Sequence, residues 1–187
     1  FYLYDYDNIH TVATEVSSIG GTTTSVLPAP GAEIRGAEAE LLWLVNDDLT
    51  VGGSFSYTPN EYSESLLISD PSRHAVPESL FPNFDALVED VKGNQLLHVP
   101  EGKLTAWGQY VMPLSGGSQL EFVGIYSWTD EVYYSPFERE EEKAEAYDRL
   151  DLRANWISAD SNWTVSAFVN NVFDDNGNLQ ILRQGET

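Results

Sequence analysis

Between Tyr147 and Asn171 the sequence YDRLDLRANWISADSNWTVSAFVNN alternates with a period of two. Leu150, Leu152, Ala154 and Trp156 fall on one face, and Arg149, Asp151, Arg153 and Asn155 on the other. After Asp160-Ser161-Asn162 the pattern restarts, with Trp163, Val165, Ala167 and Val169 against Thr164, Ser166 and Asn170. A helix gathers every third or fourth residue on one side; only a strand sends neighbours to opposite faces. The stretch predicts a β-hairpin with one apolar and one polar face. Such a face needs cover, which is a second sheet in a soluble sandwich and lipid in an outer-membrane barrel whose charged face lines a lumen.

The connections discriminate between these two. Seven strands are expected, at Phe1 to Val12, Ala32 to Val45, Leu49 to Tyr62, Lys103 to Leu114, Gln119 to Ser135, Tyr147 to Ser158 and Trp163 to Phe173. The third alternates cleanly, Leu49, Val51, Phe55 and Tyr57 opposing Thr50, Ser54, Ser56 and Thr58. In the fifth, Val123 and Ile125 stand out of phase with Leu120, Phe122, Tyr126 and Trp128. Tight turns at Asn46-Asp47-Asp48, Ser115-Gly116-Gly117 and Asp160-Ser161-Asn162 alternate with long connections at Ala13 to Gly31, Ser63 to Gly102 and Pro136 to Ala146. Strict alternation places the short turns at one end and the long loops at the other, the layout of barrels with periplasmic turns and extracellular loops. A structureless loop as long as the second would be out of place in a compact soluble domain. Trp43, Trp156 and Trp163 near the short turns, and Tyr57, Tyr62, Trp128, Tyr133, Tyr134 and Tyr147 near the long loops, suggest two aromatic girdles. The fold class expected is all-β: an antiparallel transmembrane β-barrel segment of about seven or eight meandering strands.

Composition sets bounds on function. Nine Lys and Arg face thirty Asp and Glu in 187 residues, a formal net charge of −21. That charge repels phosphate backbones, so nucleic acid is excluded as a partner. Cysteine is absent, which rules out disulfides and thiolate metal sites. No apolar run approaches the roughly 18 residues of a membrane helix. The sequence opens inside an alternating strand, FYLYDYDNIHTV, without a leader pattern, and closes on LQILRQGET, the start of another strand; the expectation is a piece of something longer.

Three segments carry a resemblance. GAEIRGAEAEL (Gly31 to Leu41) resembles the Gly-x-Glu-x-Glu strand of TonB-dependent receptor barrels, YDRLDLRANW (Tyr147 to Trp156) is similar to that family's penultimate hairpin, and VNNVFDD (Val169 to Asp175) to its Asn-Leu/Val-Phe-Asp signature. Together, in the family's order, they imply the later part of a plugged transporter barrel of about 22 strands. The resemblance implies residues 1–187 as a partial barrel domain without the plug, about a third of the strands, and an outer-membrane location. The partners implied are outer-membrane lipid and lipopolysaccharide, the rest of the barrel and the plug, and the periplasmic TonB energy-coupling protein. The function implied is energised uptake of a scarce nutrient such as a siderophore or saccharide.

No nucleophile elbow, His-Glu-x-x-His motif or phosphate-cradling loop is present, so an enzyme is not expected. Glu38 and Glu40, two apart, read as lumen-wall carboxylates rather than an acid–base pair. His10, His74 and His98 lack ligand spacing, and no metal or cofactor is expected. FEREEEKAE (Phe137 to Glu145) and DDNGN (Asp174 to Asn178) read as solvated acidic loops. Ligand contacts in such receptors are expected from loops and upper lumen, here Arg73, His74, Phe81, Phe84 and Lys92 in one loop and Tyr133 and Tyr134 in another. Two rival readings are a complete small outer-membrane barrel with a structural or adhesion role, and a secreted carbohydrate-binding β-sandwich.

Overall fold

A computed structural model describes residues 1–16, 22–70, 88–175 and 177. Its main element is one antiparallel sheet, a meander in which each long strand pairs with the next long strand in sequence. The strands are β1 (Tyr2–Val16), β2 (Thr22–Leu44), β3 (Leu49–Tyr57), β7 (Gly102–Pro113), β8 (Gln119–Thr129), β11 (Tyr147–Ile157) and β12 (Thr164–Val169). Short strands β4 (Asn60–Glu61), β5 (Leu67–Ser69), β6 (Val88–Asp90), β9 (Val132–Tyr133) and β10 (Lys143–Ala144) lie in the long connections.

Register sorts the side chains, because directly paired residues share a face. One face carries Trp43, Val51, Gly108, Gly124, Leu152 and Val169 in a single row across six strands. The neighbouring row is Leu41, Gly53, Ala106, Tyr126 and Leu150, and the next is Ala39, Phe55, Leu104 and Trp128, which ends on Asp148. Asp148 sits at the margin, where it accepts the Tyr126 hydroxyl at 3.2 Å. We call this the outer face. The opposite, inner face carries Glu40, Ser54, Thr105, Ser127 and Arg149 in one row, and the amides of Gln109 and Asn155 donate to the Glu121 carboxylate across another. Val123 and Ile125 point inward, which accounts for their being out of phase in the sequence. Ile125 neighbours Trp107, whose ring lies across Gly52 where a Cβ would come within 2.6 Å of it. No second sheet covers the outer face among the described residues, and Leu41, Phe55, Tyr110, Phe122, Leu152 and Trp156 stay exposed on it.

Side-chain chemistry makes the short turns tight. Asn46 accepts from the backbone N–H of Asp48 at 2.9 Å and of Leu49 at 2.8 Å, the local bonding that Asn offers a turn. Gly116 and Gly117 take φ of 89° and 86°, where a side chain would be strained. Asp160 accepts from Ser158 Oγ at 2.6 Å and from the N–H of Asn162 at 3.2 Å.

Several expected boundaries shift at the long-loop end. The connection expected at Ala13 to Gly31 is mostly hairpin: β1 and β2 stay paired to Val16↔Thr22. Pro28 and Pro30 hide this in the sequence, since proline interrupts alternation while tolerating an outer strand position. The third strand stops at Tyr57 rather than Tyr62, because the chain steps sideways at Thr58-Pro59 and Asn60–Glu61 pairs with Glu33 and Ile34 of β2. The fifth ends at Thr129 rather than Ser135, and the seventh spans Thr164–Val169.

The connection from Ser63 to Gly102 builds the best-buried part of the described molecule. Ala13, Ala29, Ala32, Tyr62, Ile68, Val91 and Leu96 form one apolar cluster, with Ile34 and Phe137 packed against it. Tyr62 is held by a 2.7 Å hydrogen bond between its hydroxyl and that of Thr11, both buried. Buried Asn60 accepts from Leu96 N–H at 2.9 Å and donates to Thr58 O at 2.9 Å, so its amide is satisfied at both ends. Asn94 donates to Pro136 O at 2.8 Å and joins this cap to the connection before β11. Tyr62 is therefore a cap residue and not part of an outer girdle, whereas Tyr57 and Trp128 face outward.

Candidate functional site

The topmost complete row of the inner face runs Glu38, Ser56, Lys103, Thr129 and Tyr147 across five strands. Above its second half lies a cleft of about 430 Å³. Lys103, Thr129 and Tyr147 form its floor, and His98, Pro100, Asp130, Tyr134 and Glu145 its rim. The strand period alone puts the floor residues side by side. The rim is built by loop contacts: His98 N–H donates to Tyr133 O at 3.1 Å, Tyr134 N–H donates to Glu142 O at 2.9 Å, and the His98 and Tyr134 rings meet edge to face at 4.9 Å.

Electrostatics single out Lys103. The neighbouring Lys143 is held by Glu131 and Glu140, each at 3.0 Å, and Glu145 at 3.5 Å. Its ammonium is pushed far up by the hydrogen bonds to Glu140 and Glu131, so it is a fixed structural cation. Lys103 makes no ion pair among the described residues and is exposed. Burial raises the carboxyl of Glu101, two residues before Lys103 in the chain, above its ordinary range, helped by the charge of Asp130. Burial followed by the charge of Glu131 also raises the Tyr133 phenol. The cleft therefore combines one available cation, an imidazole, two phenols and carboxylates, a set suited to holding a polar ligand.

Of the residues singled out in the sequence, Tyr134 lines this cleft. Tyr133 lies beside it in β9, paired with Lys143, with its hydroxyl 3.4 Å from Glu131. Lys92 is exposed at the turn that Gly93 makes with φ 85°, on the cap and outside the cleft lining. Arg73, His74, Phe81 and Phe84 lie outside the described residues. Sequence reasoning missed Lys103 and Thr129; their places in alternating strands were the available signal. Tyr147, expected in an outer girdle, faces inward by its pairing with Thr129.

Farther along the wall, Tyr2, Tyr4 and Tyr6 pair with Gly36, Ile34 and Ala32. They belong to the face that continues along β2 into Glu38 and Glu40. The Tyr2 hydroxyl bonds Thr58 Oγ1 at 2.8 Å, and its ring fills the space that a side chain at Gly36 would need. Ring centroids are 5.3 Å apart between Tyr2 and Tyr4 and 6.0 Å between Tyr4 and Tyr6.

Comparison with known proteins bears on all of this. The siderophore receptor PiuA from Acinetobacter baumannii has a similar structure, with a TM-score of 0.60 and 16% sequence identity. The match covers 94% of this chain and 21% of that receptor, so the chain spans a small part of the receptor's length. At that identity the likeness is one of fold. No curated protein matches the sequence. The family described as TonB dependent receptor-like, beta-barrel matches residues 1–172, nearly the whole chain. With that coverage, and a meandering sheet of the expected facing, the chain belongs to the TonB-dependent receptor β-barrel family.

Proposed function

We propose that residues 1–187 form part of the wall of an outer-membrane TonB-dependent receptor that takes up a scarce nutrient. The observation that carries this reading is the apolar outer face, broken at its margin by Asp148, set against an inner face that carries Glu40, Lys103, Glu121, Arg149 and Asn155, with register maintained from β2 to β12. In lipid, strands must pair with neighbours and present apolar side chains outward, and this sheet does both. TonB-dependent receptors are transporters rather than enzymes, and uptake requires a plug in the lumen and the TonB protein in the periplasm. On this reading the short turns are periplasmic, the cap is extracellular, and lipid and lipopolysaccharide cover the outer face. The similarity to PiuA makes a siderophore one ligand class to test. Lys103, Tyr134 and Tyr147 are the residues we assign to first contact with the ligand, and Arg73, His74, Phe81, Phe84, Lys92 and Tyr133 remain loop candidates.

Two measurements test this. The intact protein should fractionate with the outer membrane and show the heat-dependent electrophoretic mobility of a folded barrel. Deleting its gene should reduce uptake of a labelled nutrient, with iron-loaded siderophores as the first probes and neutral oligosaccharides as the second, to the same extent as removing TonB. Recovery of the intact protein as a soluble secreted species would overturn the proposal and favour a carbohydrate-binding sandwich.

A further inference from the structure

We infer that the cleft above Lys103, Thr129 and Tyr147 takes a dipolar ligand of the class of short peptides, with its carboxylate on Lys103 and its ammonium toward Glu145. The inference deepens the proposed receptor reading and rests on it, because that reading opens the cleft to ligands from outside the cell. The two sides of the cleft carry opposite charge. On the β7 side, Lys103 is exposed and makes no ion pair among the described residues. On the β11 side, Glu145 joins Glu131 and Glu140 around the single ammonium of Lys143, at 3.5, 3.0 and 3.0 Å. One positive charge among these carboxylates leaves that side negative. Asp130, on the rim between the two sides, accepts the Glu131 N–H at 2.9 Å and forms no ion pair with Lys103.

This separation narrows the ligand class. An anion would meet the carboxylates, a cation would leave Lys103 unused, and a neutral molecule would use neither side. A ligand with one charge of each sign, held apart, complements both. The floor sets how far apart. Lys103 and Tyr147 pair with Thr129 from its two sides, so β7 and β11 lie two strand spacings from each other, about 10 Å. An extended peptide advances about 3.3 to 3.6 Å per residue, so about three residues span that width. The cleft volume of about 430 Å³ suits a ligand of this size and excludes a folded partner. Between the charged ends, the hydroxyls of Thr129 and Tyr147 can donate to or accept from peptide groups.

The test uses the intact protein purified in detergent, with trialanine, triserine and trityrosine as calorimetric probes at neutral pH and low salt. Each is compared with its amide, its N-acetyl form and the single amino acid. At least one tripeptide should bind, and about tenfold more tightly than all of its comparisons, because each of those loses one charged hydrogen bond or the span to make both. Lys103→Gln should weaken that tripeptide about tenfold, to the level of its amide, and Lys103→Arg should retain it. Glu145→Gln should weaken it toward the level of the acetylated peptide. Binding of no tripeptide, equal binding of the amide or the acetylated form, or indifference to Lys103→Gln would overturn the inference. Outer-membrane fractionation and heat-dependent mobility, scored on the same preparations, check the folding of each variant and keep this failure apart from that of the receptor reading. A folded outer-membrane barrel that binds no tripeptide rejects the dipolar ligand alone, whereas absence of the barrel signature in the unaltered protein rejects the receptor reading beneath it.

Discussion

Asp70 and Arg139 lie 69 residues apart and meet at 2.5 Å beneath the cap, the aspartate 1% exposed. Arg139 also stacks 4.6 Å above the Phe137 ring and lies 3.6 Å from Glu89. One guanidinium thus joins the connection between β3 and β7 to the connection between β8 and β11, and the two long loops form a single packed body.

Removing that guanidinium should loosen the cap without unfolding the wall. Breaking a buried pair from one side costs about 3 to 5 kcal/mol, and partial exposure of Arg139 places the effect toward the lower figure. Arg139→Ala should therefore speed hydrogen exchange at Tyr62, Val91 and Gly93, while exchange in β8 and β11 stays as it was. Equal acceleration in the cap and the wall would show that the loops are not an independent body.

Topology gives a second prediction. Lys92 is exposed at the tip of the cap and Asp47 in a short turn at the opposite end. In intact cells, Lys92→Cys should react with a membrane-impermeant thiol reagent and Asp47→Cys should not. The reverse would invert the orientation of the wall.

The parts of this fold that were legible in the sequence are those governed by the strand period. Leu150 and Leu152 against Arg149 and Asp151 needed no knowledge of neighbours, and the Asn46 and Asp160 turns carry their own bonding groups. What escaped depends on distant partners. Nothing local to Tyr62 announces Thr11, and nothing local to Asp70 announces Arg139. The inward Trp107 reads as an ordinary apolar residue until Gly52 on the adjoining strand is seen to make room for its ring. The cleft was half visible: Tyr134 was chosen by its place in a long loop, but Lys103 gains its meaning only from register with Thr129 and Tyr147.

A third prediction concerns pH. Burial comes first and the charge of Asp130 second among the causes that raise the Glu101 carboxyl, against a hydrogen bond from the Asn60 backbone that lowers it. A carboxyl raised in the folded state binds its proton there before it does in the unfolded chain. The charged form therefore weakens the cap above the folded pKa. Stability is regained as pH falls through that value, and the gain is complete below the ordinary value of 4.5. Glu101→Gln should slow hydrogen exchange around Asn60 at neutral pH and flatten its change between neutral pH and the ordinary carboxylate range. Faster exchange at neutral pH in the variant would contradict this account.

The sharpest separation of the two faces comes from neighbours on β11. Leu152 is the middle residue of that strand, paired with Gly124 on one side and Val169 on the other, and its side chain is 42% exposed on the outer face. If lipid covers that face, an arginine there near the membrane midplane costs about 2 to 4 kcal/mol, and only about 0 to 1 kcal/mol near an interface. Its position halfway along the strand argues for the larger figure. Asn155 faces inward and donates to Glu121 Oε2 at 2.6 Å. Asn155→Arg would replace that amide by a guanidinium opposite the same carboxylate, so a charge-assisted bond can take the place of the one removed. Leu152→Arg in the intact protein should lower denaturant stability in lipid by about 2 to 4 kcal/mol, with Asn155→Arg near neutral. Greater damage from Asn155→Arg would mean that the faces are inverted, and the inner-wall placement of Lys103, Thr129 and Tyr147 would fall with them.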